Sequence, residues 1–360
     1  MNRRFVLRGA AAAVTVAALA ACSPPNQGGT STSAGAGTEA AVSADTLVVY
    51  SNSVSDGRGD WLKTEAEAAG FTLQFVDLGG GDIQNRLVAE KNNPIADVTF
   101  GLNNVYFEKL KAEGVLQAYT PAWADKVDEL GDGENFWPIV REPIMLVYNK
   151  ASYPTAAQAP SDWPDLWTKP EFKDKYEVPT SLGGATTQMV LSGIISRYAD
   201  ANGELGVSDE GWKAVEQYFG NGSPAVKGTD LFARMKSGQV DAGQMWLAGK
   251  ASREEEFGIQ TEAVHPPVGV PFAVQHVALV NGTKKAEQAK KFIDWFGGAE
   301  LQAKWSKQFF TAPTNKDALA AAEPNAVKET DSFKQQQIDW SFVATNLDKW
   351  IEKIQLQYLG

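Results

Sequence analysis

The chain reads as an α/β protein of two lobes joined by two extended strands. Three observations predict it. Short apolar, β-branched runs alternate with polar turns and helical stretches from Thr46 to Gly114, the pattern of parallel βαβ units with right-handed crossovers. The alternation resumes in the second half, from Glu177 to Trp246. Two long extended segments, Ile144 to Asn149 and Val268 to Val280, fit strands that pass from one lobe to the other.

Thr46 to Tyr50 is an apolar strand, followed by a Ser/Gly-rich turn over Ser51 to Asp60. Trp61 to Ala69 has helical spacing, and Phe71 to Val76 is a second strand. Gly79-Gly80-Gly81-Asp82 breaks the chain before a helix from Ile83 to Lys91. Ala96 to Phe100 is a third strand; it ends at Gly101-Leu102-Asn103-Asn104 and leads into a helix, Val105 to Glu113, stopped by Gly114. After Trp137-Pro138 comes the strand Ile144 to Asn149, then a Pro- and aromatic-rich stretch from Tyr153 to Trp167. Glu177-Val178-Pro179 runs into Gly183-Gly184-Ala185-Thr186-Thr187 and a helix from Gln188 to Tyr198. Helices over Asp209 to Phe219 and Gly228 to Ser237, a strand Ala242 to Trp246, a helix Ala286 to Phe296 and a helical tail Ser332 to Leu359 complete the body. The first lobe is expected over residues 45–145, the second over 146–267, and residues 268–360 return to the first lobe and end in the tail.

The N-terminus carries an address. Arg3, Arg4 and Arg8 precede an apolar, small-residue run from Ala10 to Ala21, the composition of an export signal over residues 1–21. About a dozen apolar residues fall well short of the ~20 that span a bilayer. The ending Leu19-Ala20-Ala21-Cys22 resembles the bacterial lipobox, which implies lipidation of Cys22 as the mature N-terminus. Arg3-Arg4-Phe5-Val6-Leu7 resembles a twin-arginine signal. Residues 22–44 hold Pro, Gly, Ser, Thr and Ala, a single acid (Glu39) and no aromatics. Such a segment cannot bury enough surface to offset its ordering entropy, and reads as a flexible tether.

Cys22 is the single cysteine, so the chain holds no intrachain disulfide, no CxxC pair and no cysteine zinc site. The fold must rest on its apolar core, and the roughly 315 residues beyond the tether are enough for two domains. The formal charge is −11; the first 21 residues carry three arginines and no acid, which leaves the mature chain near −14. That balance disfavours nucleic acid and anionic membrane surfaces as partners.

Five stretches together resemble the type II periplasmic solute-binding proteins of ABC importers. They are Leu47-Val-Val-Tyr50-Ser51; Asn85-Arg86-Leu87 with Asn92 to Gly101; Pro143 to Lys150; Val268 to Val280; and Lys290 to Trp295. The branch resembled holds ferric-iron, thiamine, phosphonate and sugar-phosphate binders. The resemblance implies the two-lobe type II binding-protein fold and no enzymatic activity. It implies a small-molecule ligand, partnership with ABC permease subunits, and a monomer held at the membrane by its lipid.

Ligands of open α/β sheets bind beyond the carboxyl ends of the strands, which selects the turns to inspect. The first offers Tyr50, Ser51, Asn52 and Ser53 with Asp56 and Arg58 beyond; the second Gly80, Gly81 and Asp82; the third Asn103 and Asn104. Each of these residue types also simply makes turns; three polar turns on one sheet edge favour a site. Gly183, Gly184, Thr186 and Thr187 precede or open a helix, whose free N–H groups and dipole suit an anion. Thr229 lies before a second helix start, with Asp230 its expected cap. Tyr50, Trp137 and Trp246 could stack on a ligand or pack in the core. Charges expected near the cleft are mixed: Asp56, Arg58, Asp82, Arg141, Glu142 and Asp230. His265 and His276 are the only histidines, too few for a multi-histidine zinc site, and His276 is a candidate cleft residue on the returning strand. Ferric binders of the branch resembled carry adjacent tyrosines where this chain has Gln244-Met245-Trp246. Neither a metal nor a cofactor is expected.

Arg58, Arg141 and the Gly-Gly-Ala-Thr-Thr helix start lean towards an organic phosphate or phosphonate. Thiamine, a polyamine or a ferric chelate on the same fold are the alternatives. GxSxG, HExxH and P-loop motifs are absent from the sequence; the competing class is an exported α/β hydrolase.

Overall fold

The structure is a computed structural model that describes residues 45–55, 57–128 and 131–359. Cys22, the expected signal and tether, and Asp56 lie outside the described residues.

The first lobe grows from β1 (Thr46–Ser51), every residue of which is buried. α1 (Arg58–Ala68) returns the chain to β2 (Thr72–Asp77), which pairs parallel with β1. α2 (Gly80–Ala89) leads to β3 (Val98–Phe100), parallel to β1 on its other side. α3 (Asn104–Ala112) follows, with β4 (Leu116–Gln117) on the sheet margin. Two βαβ units are thus laid down as the alternation predicts. α2 begins about one turn earlier than the glycine run suggests, so that Gly80, Gly81 and Asp82 form its first turn.

β5 (Trp137–Asn149) is thirteen residues long and is the spine of the molecule. Its first half pairs antiparallel with β11 (Phe272–Val280), and its second half, from Ile144, pairs with β9 (Ala242–Trp246) and β10 (Thr261–Ala263). One strand therefore serves two sheets. It starts seven residues before the expected Ile144, whereas the returning strand starts four residues after the expected Val268.

The second lobe holds α4 (Asp165–Thr168), β6 (Glu177–Val178), α5 (Ala185–Ile195), β7 (Ala199–Glu204), α6 (Asp209–Asn221), β8 (Ser223–Pro224), α7 (Leu231–Lys236), β9, α8 (Leu247–Phe257) and β10. α8 was not foreseen in the sequence. After β11 the chain forms α9 (Ala286–Phe296), α10 (Ala299–Phe309), β12 (Ala312–Pro313), α11 (Pro324–Asp331) and α12 (Trp340–Gln357).

Separate apolar cores support the two lobes. Leu47, Val49, Val98 and Phe100 pack with Phe292, Phe296 and Trp305 of α9 and α10, and Val48, Ile83 and Phe107 fill the other face of the first sheet. The second core gathers Ile144, Leu146, Trp163, Tyr176, Met189 and Tyr218. Val343, Leu347, Trp350 and Ile354 of α12 belong to that second core, and the Trp350 indole nitrogen donates to the Leu205 carbonyl at 3.0 Å. The C-terminal helix thus leaves the returning segment and packs on the second lobe.

Candidate functional site

The turn after β2 with the first turn of α2, and the segment around the start of α5, border one cleft. A space of about 480 Å³ is lined by Gly79, Gly80, Gly81 and Asp82 from the first lobe, by Tyr106 of α3, and by Gly183 and Gln188 from the second. The Tyr106 hydroxyl donates across it to Gln188 Oε1 at 3.1 Å. Burial raises the Tyr106 pKa, so the group stays a donor at neutral pH. Its ring lies on α2: a Cβ on Gly80 would stand 2.7 Å from that ring and 3.3 Å from the Asn52 amide nitrogen. Any side chain there would displace the tyrosine.

Several helix starts present N–H groups near this cleft, and they are not equivalent. α2 has no side-chain cap, but Asp82 lies in its first turn and folds over Gly79, with Oδ2 3.4 Å from where a Cβ would stand. That carboxylate already answers the positive end of the helix. α3 is capped by Asn103, which accepts from the Tyr106 amide at 3.3 Å. α5 has neither a side-chain cap nor an acid in its first turn. Its open amides are those of Ala185, Thr186 and Thr187, because the Gln188 amide is bonded to the Gly184 carbonyl. Thr187 Oγ1 accepts from Gln244 Nε2 at 2.7 Å, which leaves the threonine proton free to donate. A Cβ on Gly183 would meet nothing within 4 Å, so the approach to this helix end is open.

A second polar group lies where β5 changes sheets. Glu142 Oε1 accepts from the Ala248 amide, in the first turn of α8, at 2.8 Å. Burial raises its pKa, and the Ala248 amide and the Arg58 charge partly offset that. Arg58 opens α1 and stands over the Phe309 ring at 5.4 Å.

The structure distributes the sequence-predicted residues unevenly. Gly80, Gly81, Asp82 and Gly183 line the cleft, Gly184 caps α5 beside it, and Thr186 and Thr187 lie in the first turn. Asn52 approaches Gly80. Ser51 and Ser53 serve their own turn: Ser51 Oγ accepts from the Ser53 amide at 3.0 Å, and Ser53 Oγ donates to the Gly101 carbonyl at 3.4 Å. Asn103 keeps a buried Nδ2 with no partner among the described residues, while Asn104 Oδ1 accepts from the Val274 amide.

Tyr50, His276, Arg141, Thr229 and Trp246 are corrected as cleft residues, while Trp137 takes the packing role left open for it and Asp230 is the cap expected. Tyr50 is fully buried under α2, its hydroxyl donating to Glu90 at 3.0 Å and its ring facing Arg86. His276 is fully buried between Phe107 and Phe136 in the first core. Arg141 lies on the strand face opposite Glu142 and pairs with Asp331 of α11. Thr229 is exposed ahead of α7, whose cap is Asp230. Trp137 is a packing residue whose indole donates to the Tyr119 carbonyl. Trp246 folds back on its own helix, against Gly249 and beneath Arg253, so α8 limits its use as a stacking platform. His265 stacks on Phe333 at 4.3 Å. The sequence reading missed Tyr106. The available signal was its offset, three residues after the helix-capping Asn103.

A family model described as a bacterial extracellular solute-binding protein matches residues 93–346. The chain is similar to a "Probable ABC transporter periplasmic-binding protein" of Sinorhizobium fredii, at 35% identity over 87% of each chain. A Salmonella typhimurium relative that carries the name "Putative 2-aminoethylphosphonate-binding periplasmic protein" is 24% identical over 85% of this chain and 90% of its own. Among solved structures, a ferric binding protein from Campylobacter jejuni superposes with a TM-score of 0.71 at 20% identity, covering 87% of this chain and 99% of that one.

Proposed function

The chain belongs to the bacterial extracellular solute-binding proteins and is the substrate-binding component of an ABC importer, and from that premise we propose that its solute is an organic phosphate or phosphonate. The observation that carries this reading is the uncapped, acid-free start of α5 at the edge of the cleft, with the Thr187 proton free beside it. Backbone N–H groups at a helix start hold phosphate-like oxygens without any cationic side chain. This reconciles an anionic ligand with a strongly acidic chain. The name carried by the Salmonella relative agrees with it. A ferric ion needs hard anionic oxygens, and the Gln244-Met245-Trp246 segment supplies none.

Capture proceeds by hinge closure about β5 and the returning strand. Ligand shifts the equilibrium only if it binds the closed form more tightly than the open one, and a ligand touching both Gly80–Gly81 and the start of α5 meets that condition. The homologues are transporter components rather than enzymes. We place the lobe boundaries near residues 145 and 267, and the lipid anchor at Cys22, with the monomer delivering its solute to the permease. Thermal-shift screening of the purified protein against phosphonates, sugar phosphates, thiamine, polyamines and ferric citrate tests the solute class. A phosphonate or phosphate ester should raise the melting temperature in a saturable way. A shift with thiamine, a polyamine or ferric citrate alone overturns the reading.

A further inference from the structure

We infer that Gln188 is a ligand-binding residue of the second lobe, its amide donating Nε2 to the anion at the open end of α5 while Tyr106 holds its oxygen. The inference rests on the phosphate or phosphonate reading and names the side chain that recognises that anion beside the backbone.

Helix geometry places the residue. The Gln188 amide closes on the Gly184 carbonyl, so Gln188 is the first residue of α5 beyond the open amides of Ala185, Thr186 and Thr187. In a helix each Cα–Cβ bond tilts toward the N-terminus, and a side chain covers the turn before its own Cα. The Gln188 side chain therefore lies over the first turn, on the face of Gly184. Gln188 and Gly183 line the same space of about 480 Å³, and a Cβ on Gly183 would meet nothing within 4 Å. The side chain and the entry to α5 thus border one open volume.

One end of this amide is committed and the other is not. Gln188 is only 7% exposed, and its Oε1 accepts from the Tyr106 hydroxyl at 3.1 Å. That bond uses the acceptor end and turns Nε2 away from the tyrosine. Nε2 has no hydrogen-bond partner among the described residues, yet it is not one of the fully buried atoms that lack one. It therefore reaches open space, and the space that Gln188 borders is the cleft. A buried side chain fixed at one end offers its other end with little rotamer entropy left to lose. The other polar side chains of this space are less suited to an anion. Lys109 is tied to Asp348 at 2.7 Å, Asp82 is itself an acid, and Gln84 and Asn85 follow that acid on α2. One side chain then serves both lobes, its oxygen meeting α3 and its nitrogen the solute.

The test is isothermal titration of the wild type, Tyr106→Phe, Gln188→Met and the double variant with 2-aminoethylphosphonate and with glucose 6-phosphate. Tyr106→Phe removes the link between the lobes and leaves the Gln188 donor in place. If Nε2 contacts the anion, Gln188→Met should weaken whichever probe binds by at least about tenfold in the Tyr106→Phe background as well. If Gln188 serves only the link, Gln188→Met costs nothing beyond Tyr106→Phe, and the inference is overturned with the phosphate or phosphonate reading left standing. A wild type that binds neither probe saturably removes that reading and the inference together. Should the double variant not fold, Gln188→Glu decides, because it keeps an acceptor for Tyr106 and replaces the donor by a carboxylate oxygen. Its affinity should fall by at least about tenfold, and an unchanged affinity overturns the inference.

Discussion

The Tyr106 hydroxyl and the Gln188 side-chain oxygen, 82 positions apart in the chain, form a hydrogen bond that ties α3 of one lobe to α5 of the other. It sits at the cleft itself, beside a second link between the same lobes, the Lys109–Asp348 ion pair at 2.7 Å. The exposed ion pair contributes little, so the buried hydrogen bond is the stronger of the two.

Replacing Tyr106 with Phe keeps the ring on Gly80 and leaves Gln188 Oε1 without its donor. The link between α3 and α5 should weaken by about 1–3 kcal/mol. Small-angle scattering of the ligand-free variant should report a larger radius of gyration than the wild type; an unchanged radius contradicts a latch at this position.

Gly80→Ala strikes the same contact from the other side. Its Cβ would meet the Tyr106 ring at 2.7 Å, so the tyrosine must move or the helix must shift. The expected result is weaker ligand binding in titration with a modest loss of stability. Combined with Tyr106→Ala, which removes the ring, Gly80→Ala should cost much less than it does alone, the remainder coming from the Asn52 amide nitrogen 3.3 Å away.

Glu142 predicts a pH dependence whose sign is fixed by burial. Its pKa is raised in the folded chain, so the native state binds the proton more tightly than the unfolded state does. Stability from this group is present at low pH and is lost as pH rises from the unfolded pKa through the folded one. Ligand-free Glu142→Gln should therefore melt higher than the wild type at neutral pH, and the two curves should converge in acid. A wild type that melts higher than Glu142→Gln at neutral pH contradicts the assignment.

In the second lobe, Arg234 and Glu177 pair at 2.7 Å with their side chains 4% and 16% exposed. Arg234 also donates to the Pro224 carbonyl and to Ser223. Arg234→Met leaves the carboxylate uncompensated and should cost about 3–5 kcal/mol, roughly 6–10 °C in melting temperature. Calorimetry checks it.

Much of this architecture was legible in the residues. Ala242–Trp246 and Ala286–Phe296 were read to the residue, because an apolar strand edge and an amphipathic face leave clear periods. β5 was read short because Pro138, Arg141, Glu142 and Pro143 interrupt its apolar pattern. Arg141, Glu142 and Pro143 lie where one strand changes sheets, and the pattern expected of a single buried face does not apply there. Three glycines read as a chain break, yet the tertiary setting folds two of them into α2. The amphipathic pattern of α12 announced a helix without saying which core it covers. Within the site, glycines and helix starts were readable from local rules. Tyr50 and His276 were misplaced because a strand-end ring has two faces to choose between, and only the packing of α2 and α3 decides. Tyr106 and Gln188 come from separate lobes and meet only in the tertiary fold, which no local period encodes.

The central claim is that an anion sits on the open amides of α5, and Ala185→Pro addresses it most directly. Proline is favoured at the first helical position, and Gly184, at φ −73° and ψ 140°, already has the backbone that precedes a proline. The substitution removes one N–H and leaves the helix intact. Titration of wild type and Ala185→Pro with 2-aminoethylphosphonate should show one saturable site in the wild type and at least about tenfold weaker binding in the variant at an unchanged melting temperature. Equal affinities in the two proteins, or no saturable binding in the wild type, would contradict it.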